Sequence, residues 1–343
     1  MSEMNRRIVL AERPQGRPGP QNFRLEDVPV PEPGAGQLLS RTIYLSLDPY
    51  MRGRMSDAPS YTPPVAIGDV MTGGTVGQVV QSKLDGFAPG DIVVGYGGWQ
   101  EFSLFKAGEV SKVDPAQAPI STALGVLGMP GMTAYTALHE IGKPQAGETL
   151  VVAAASGAVG AVVGQIAKIK GCRVVGVAGS KAKCDYVVNE LGFDACLDHH
   201  ASDFAGALAA ACPKGVDVYW ENVGGQVFDA VLPLLNRFAR VPVCGLIAWY
   251  NATELPPGPD RMPLLFRSIL TKRLTIRGFI VWDFSALEDK FRCEVGQWVR
   301  EGRVRYREDV REGLENAPQA FMELLEGGNF GKLLVRVAPD PTI

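Results

Sequence analysis

The chain has 343 residues, of which 21% are charged, and a formal net charge of −3. That length suggests two domains, each large enough for its own core. So small and mixed a charge excludes a broad nucleic-acid or membrane-binding surface.

Residues 150–167 form a long uncharged stretch near the centre, but their glycines, Ser156 and Gln165 suit a strand and a helix better than a membrane span. The opening MSEMNRRIVLAERP has no sustained apolar core before Pro14, so no signal peptide is expected. Cys172, Cys184, Cys196, Cys212, Cys244 and Cys293 lie far apart and form no C-x-x-C pair. Reduced thiols in a cytoplasmic protein are the expectation.

Residues 1 to about 125 read as all-β. VPVPEPGAGQLLSRTIYLSLDP, GDVMTGGTVGQVV and GFAPGDIVVGYGGWQEFSLF are short apolar runs punctuated by Gly and Pro, as in a small barrel or sandwich. Gly73-Gly74 and Gly97-Gly98 are expected at bulges or tight turns. YLSLDPYMRGR sets Asp48, Tyr50 and Arg52 beside a proline in an expected loop or strand end. Tyr50 is there either a half-buried turn residue or a substrate-facing phenol, and the residues alone leave both open.

The composition changes near Gly125. VLGMPGMTAYTALHEIGKP has helical spacing and ends at Gly142 and Pro144. TLVVAAASGAVGAVVGQIAKIKGCRVVGVA, from Thr149 to Ala178, then reads as strand, glycine turn, helix and strand. A buried strand that turns at once into a helix presents N–H groups to a pyrophosphate. A side chain at Gly157 would block that approach, and one at Gly160 would hold helix and strand apart. The dinucleotide fingerprint is G-x-G-x-x-G, with Ala155 at its first position here.

Strand and helix then alternate. CDYVVNELGFDACLD is a helix and strand, FAGALAAAC a helix, VDVYWENVGG a strand, VFDAVLPLLN a helix and RVPVCGLIAWYN a strand and loop. LPPGPDRMPL reads as a loop, LTIRGFIVWDF as a strand, LEDKFRCEVGQWVREGRV as an amphipathic helix, and NFGKLLVRVAP as a last strand that can return to the β domain. Such alternation builds a doubly wound parallel sheet of Rossmann type.

The strand ending at Ala178 runs into Gly179-Ser180-Lys181-Ala182-Lys183, with no acid to hold free ribose hydroxyls. A serine and a lysine there suit a ribose phosphate, which favours NADP over NAD. The three histidines are His139, His199 and His200, and no cysteine precedes Cys172, so no zinc site is expected. No G-x-S-x-G nucleophile elbow is present.

LSLDPYMRGRMSD, VLGMPGMTAY, AAASGAVG, LGFD, ENVGG, VCGLIAWYNATELPPGP and GGNFGK together span almost the whole chain. They resemble the zinc-independent prostaglandin reductase branch of the medium-chain dehydrogenase/reductases, and within it the bacterial curcumin reductases. The resemblance implies a GroES-like β-barrel catalytic domain over 1–127, completed by 308–343, and a Rossmann NADP-binding domain over 128–307. It implies a homodimer that uses NADPH to reduce the carbon–carbon double bond of a small hydrophobic enone. Gly157, Ala158, Val159 and Gly160 match the pyrophosphate turn. Gly179 and Ser180 lead the G-S-x-x-K pattern whose Lys183, rather than Lys181, matches the lysine of the 2′-phosphate.

Asn222, Gly245 and Asn329 match further cofactor contacts, and Thr133 with the Phe279–Val281 backbone borders the nicotinamide. Tyr250 matches a tyrosine near the reacting centre, and Tyr50 and Tyr61 match active-site tyrosines of the curcumin reductases. His199 stands where the prostaglandin reductases carry a tyrosine near the nucleotide phosphate, and a protonated imidazole would serve the same group. A tyrosine at the carbonyl suits an enolate, which needs a neutral hydrogen-bond donor. Two other readings stay open at this point: a quinone reductase of the same superfamily, and a protein that binds NADPH without turnover.

Overall fold

The computed structural model describes residues 4–256 and 258–343. The chain divides into two compact units. The first runs to Gly125 and takes in Glu308–Asn329 and Leu333–Ile343; the second is Val126–Arg307 with Phe330–Lys332.

The first unit begins with an antiparallel pair, β1 (Met4–Leu10) and β2 (Phe23–Pro29). The long strand β3 (Gln37–Ser46) runs into a turn and the short helix α1 (Met51–Arg54), so the DPYM segment is a strand end followed by a helical turn. Then come β4 (Thr75–Ser82), β5 (Ile92–Gly95), β6 (Phe102–Lys106) and β7 (Val110–Lys112). Strand β3 pairs antiparallel with β4 on one side and with β6, and β4 leads to β5 and β7. The core stacks Phe23 on Trp99 at 5.6 Å between ring centroids, with Phe321 edge-on to Trp99 at 5.7 Å. Ile8, Leu10, Leu45, Leu47 and Met51 close around them.

The second unit opens with α2 (Met129–Ala137), which continues as a π turn over Leu138–Gly142. The alternation follows: β8 (Thr149–Ala153), α3 (Gly160–Ile169), β9 (Arg173–Ala178), α4 (Lys181–Asn189), β10 (Ala195–Asp198), α5 (Phe204–Ala211), β11 (Val216–Trp220), α6 (Gly225–Val231) and β12 (Leu235–Val243). It ends with α7 (Met262–Lys272), β13 (Thr275–Gly278) and α8 (Glu288–Arg300). The sheet order is β10-β9-β8-β11-β12-β13, and its pairs are parallel. This is the doubly wound order, which reverses between β8 and β11. Successive residues feed opposite faces: Leu150 and Val152 join one buried cluster, Val151 and Ala153 the other. A strand covered on both faces therefore reads as an unbroken apolar run.

Two segments differ from the sequence expectation. The proline-rich loop stops earlier than expected, because Pro263 lies in the first turn of α7, where its missing N–H costs nothing. The strand expected over 274–284 is only four residues long, and Val281–Leu287 forms a 3-10 segment instead.

The chain then returns to the first unit through β14 (Glu308–Glu312), α9 (Ala317–Leu325) and β15 (Lys332–Arg336). In β15, Leu334, Val335 and Arg336 pair with Ser46, Leu45 and Tyr44 of β3. The last strand thus completes the antiparallel sheet begun three hundred residues earlier, about the full reach of the chain.

Candidate active site

In the second unit the sequence-selected residues other than Thr133 follow the carboxyl ends of the parallel strands, where open α/β sheets take their ligands. After β8 the turn passes through Ala154, whose φ of 53° is left-handed. An alanine there costs about 1–2 kcal/mol, a strain that sits one residue before the fingerprint's first position. A Cβ on Gly160 would overlap the Ala154 carbonyl oxygen and lie 3.1 Å from Ala155 Cα, so only glycine lets α3 start against the strand. Gly157, Ala158 and Val159 lead into the N-terminus of α3, whose dipole and amide groups favour an anion. The glycine cradle and the helix N-terminus fit a pyrophosphate.

At the end of β9, Ser180 caps α4, its Oγ accepting a bond from Lys183 N at 3.3 Å. Lys181 is engaged elsewhere, 2.6 Å from Asp185. Gly179 lies under His199, whose Nε2 would be 3.3 Å from a Cβ at that position. His199 follows β10, and Gln226 Nε2 is 3.2 Å from His199 Nδ1. Donation by the amide selects the tautomer with hydrogen on Nε2. Burial, followed by the neighbouring His200, lowers the His199 pKa below its usual value. The shift favours the neutral ring, whose Nε2–H is a hydrogen-bond donor.

Asn222 lies two residues beyond β11; its Nδ2 donates to Ala153 O at 2.8 Å and its Oδ1 accepts from Trp220 Nε1 at 3.0 Å. It braces the ends of β8 and β11. Gly245 lies beyond β12, and a Cβ there would be 3.1 Å from the Tyr250 hydroxyl. Tyr250 is half-buried, with its Oη 3.5 Å from Leu246 N. Phe279 and Val281 are buried just after β13, with Phe279 edge-on to Trp220 at 5.8 Å. Thr133 is buried in α2, where its Oγ1 donates to Met129 O at 2.7 Å.

Glu221 escaped the sequence reading. Its side chain is 2% exposed, and Oε1 accepts from Tyr219 Oη at 3.0 Å and from the amides of Val223 and Gly224 at 2.7 and 2.8 Å. Its backbone oxygen accepts from Cys244 N at 2.9 Å, which ties the end of β11 to that of β12. Burial raises the Glu221 pKa despite these donors. The available signal was an acid closing the apolar run VDVYW.

In the first unit, Tyr50 lies between β3 and α1. Its hydroxyl is buried and makes no hydrogen bond. Burial, then the charge of Asp48, raises its pKa well above 10, with smaller electrostatic contributions from Tyr96 and Tyr61. Such a phenol stays protonated and has a proton to donate. Asp48 is itself buried and accepts a short hydrogen bond from Ser46 Oγ. Tyr61 is exposed, and Asn329 lies in the loop after α9. Among the described residues no group of three or more His, Cys, Asp or Glu side chains forms a metal-ligand set.

A doubly wound sheet with this strand-end array defines a dinucleotide-binding α/β protein. A family profile described as the N-terminal domain of oxidoreductase matches residues 6–113, and one described as zinc-binding dehydrogenase matches 158–299. The chain is 61% identical over 340 residues to the NADPH-dependent curcumin reductase of Escherichia coli, covering 98% of each. It is 41% identical over 340 residues to prostaglandin reductase 1 of Oryctolagus cuniculus, covering 94% of this chain and 91% of that one. The crystal structure of CurA in complex with NADPH from Vibrio vulnificus shares 53% of its sequence, with a TM-score of 0.94 over 98% of this chain and 100% of that one. The chain belongs to the medium-chain dehydrogenase/reductase family, in its prostaglandin reductase branch.

Proposed function

We propose that this chain is an NADPH-dependent oxidoreductase that reduces the carbon–carbon double bond of α,β-unsaturated ketones and aldehydes. One observation carries the chemistry: the buried Tyr50 hydroxyl, held protonated, makes no hydrogen bond within the protein. The identity to a curcumin reductase and a prostaglandin reductase supports it. When bound, NADPH supplies the hydride that the β-carbon accepts. The work left to the chain is to orient both reactants and to stabilise negative charge on the carbonyl oxygen.

In this reading residues 128–307 bind the cofactor and 1–127 with 308–343 form the catalytic domain. Gly157, Ala158, Val159 and Gly160 take the pyrophosphate, and Gly179, Ser180, Lys183 and His199 take the ribose phosphate. Thr133, Asn222, Gly245, Phe279, Val281 and Asn329 hold the remainder. Tyr50, Tyr61 and Tyr250 serve the substrate. The test incubates the protein with NADPH and a panel of enones, quinones and ketones and identifies products by mass spectrometry. Saturated ketones from the enones are expected; turnover of quinones alone, or none, would overturn the reading.

We also propose a cytoplasmic homodimer. Strand β13 is an edge of its sheet, and the neighbouring α7 exposes Met262, Leu264, Phe266 and Leu270. An edge strand beside an apolar helix face is a site that a second copy can cover. Light scattering is expected to give the mass of two chains, and Phe266→Glu with Leu270→Glu that of one. Two chains for the double variant would place any contact elsewhere.

A further inference from the structure

We propose that Glu221 is a positioning residue for the reduction: its buried carboxyl group orients the two peptide units from which the loop bearing Tyr250 is hung. The inference rests on the enone-reductase reading above, in which Tyr250 serves the substrate, and adds the residue on which the placement of Tyr250 depends. Glu221 directly follows β11, and its amide donates to Pro242 O of β12 at 3.0 Å. Its carbonyl oxygen accepts from Cys244 N at 2.9 Å and from Gly245 N at 3.2 Å, which anchors the start of the loop. Its side-chain Oε1 accepts from the amides of Val223 and Gly224 at 2.7 and 2.8 Å.

A peptide unit is planar and trans, so fixing its N–H fixes the opposite direction of its C=O. The N–H of Val223 shares a peptide unit with Asn222 O, and the N–H of Gly224 shares one with Val223 O. Those two oxygens accept from Ile247 N at 3.3 Å and from Ala248 N at 3.0 Å. Ile247–Trp249 is the 3-10 turn that ends at Tyr250. The Tyr250 Oη lies back over the anchored start of the loop, 3.5 Å from Leu246 N and 3.1 Å from a Cβ placed on Gly245. Trp249 packs on the other loop, where a Cβ on Gly224 would be 3.0 Å from its Cζ3. An apolar side chain at 221 would avoid the desolvation of an acid but would leave two amides and the Tyr219 hydroxyl without their acceptor. Glu221 Oε2 makes no hydrogen bond among the described residues, so the function of the side chain resides in one acceptor oxygen.

The test measures single-turnover NADPH oxidation with one enone, and NADPH binding by fluorescence, in the full-length protein and its Glu221→Leu, Glu221→Gln, Tyr250→Phe and Glu221→Leu/Tyr250→Phe variants. Glu221→Leu is expected to slow the turnover at least about tenfold, since misplacing a reacting group by about 1 Å costs up to about a hundredfold. In the Tyr250→Phe background the same change is expected to cost no more than about twofold, the non-additivity of residues that act as one unit. Glu221→Gln keeps a neutral acceptor and is expected to stay within about threefold of wild type. NADPH affinity is expected to change little, because Asn222 keeps its own bonds to Ala153 and Trp220. If Glu221→Leu does not fold, Glu221→Met, unbranched and without an oxygen acceptor, takes its place in the same comparison. Equal losses in both backgrounds, a Gln variant as slow as the Leu variant, or a loss of NADPH affinity as large as the loss of rate would overturn the proposal. So would an unchanged rate in Tyr250→Phe alone, which leaves the enone-reductase reading intact. If the wild-type protein reduces no enone, that reading fails and the role of Glu221 falls with it.

Discussion

Replacing Tyr50 by Phe is expected to slow NADPH oxidation in a single turnover with one enone by tenfold to about a hundredfold, with little change in NADPH affinity. The substitution removes the hydroxyl and keeps the ring, so the packing around α1 survives. Loss of one donor to a developing oxyanion costs about 2.7–4 kcal/mol, and water entering the vacated space recovers part of it. Tyr250→Phe and the double variant complete the experiment, because each phenol can contribute. The pH profile gives a second readout. Burial holds the Tyr50 pKa well above 10. The donor form is the protonated one, so a rate that depends on this phenol does not fall as pH rises through the ordinary tyrosine range. Near wild-type rates in all three variants would mean that the phenols only line the site.

Replacing Lys183 by Ala is expected to raise the apparent constant for NADPH ten- to a hundredfold and to leave NADH kinetics little changed. A hydrogen bond to a charged partner contributes about 1.5–3 kcal/mol, which converts to that range of affinity. Ser180 sets the first turn of α4 by capping Lys183 N, and Lys181 is paired with Asp185. In the proposed function Lys183 is the cation that takes the 2′-phosphate. The discrimination arises because NADH carries no 2′-phosphate. Steady-state kinetics with both cofactors checks this; equal losses with both would reject the role of Lys183.

Much of the second unit was legible from the chain alone, for a physical reason. The β8 turn and α3 are consecutive in sequence, so apolar run, glycines and helical spacing lie side by side and report a local structure. Gly160 could be read because a strand entering a helix without a gap tolerates no Cβ. Helix α7 was harder to read. None of its side chains is buried within the single chain, and its first turn carries the proline that looked like part of a loop. The positive φ also fell on Ala154 rather than on the fingerprint's first position, which no composition rule distinguishes.

The amino-acid order determined the strand–helix alternation, the glycine turn and the acid-free end of β9, because each depends on neighbours a few residues apart. Folding decided what depends on distant partners. It brought Asn222 to Ala153 and made an apparent cofactor ligand also a brace between strand ends. It buried Glu221 and spent one of its oxygens on a hydroxyl and two amides. It lowered the His199 pKa through burial and the neighbouring His200, which favours the neutral ring. It brought Tyr50, Tyr61 and Tyr96 within electrostatic reach of one another and of Asp48, although the three phenols span almost fifty positions of sequence. Charge state and clustering follow from desolvation and from chain segments that meet only in three dimensions, and no local pattern encodes either.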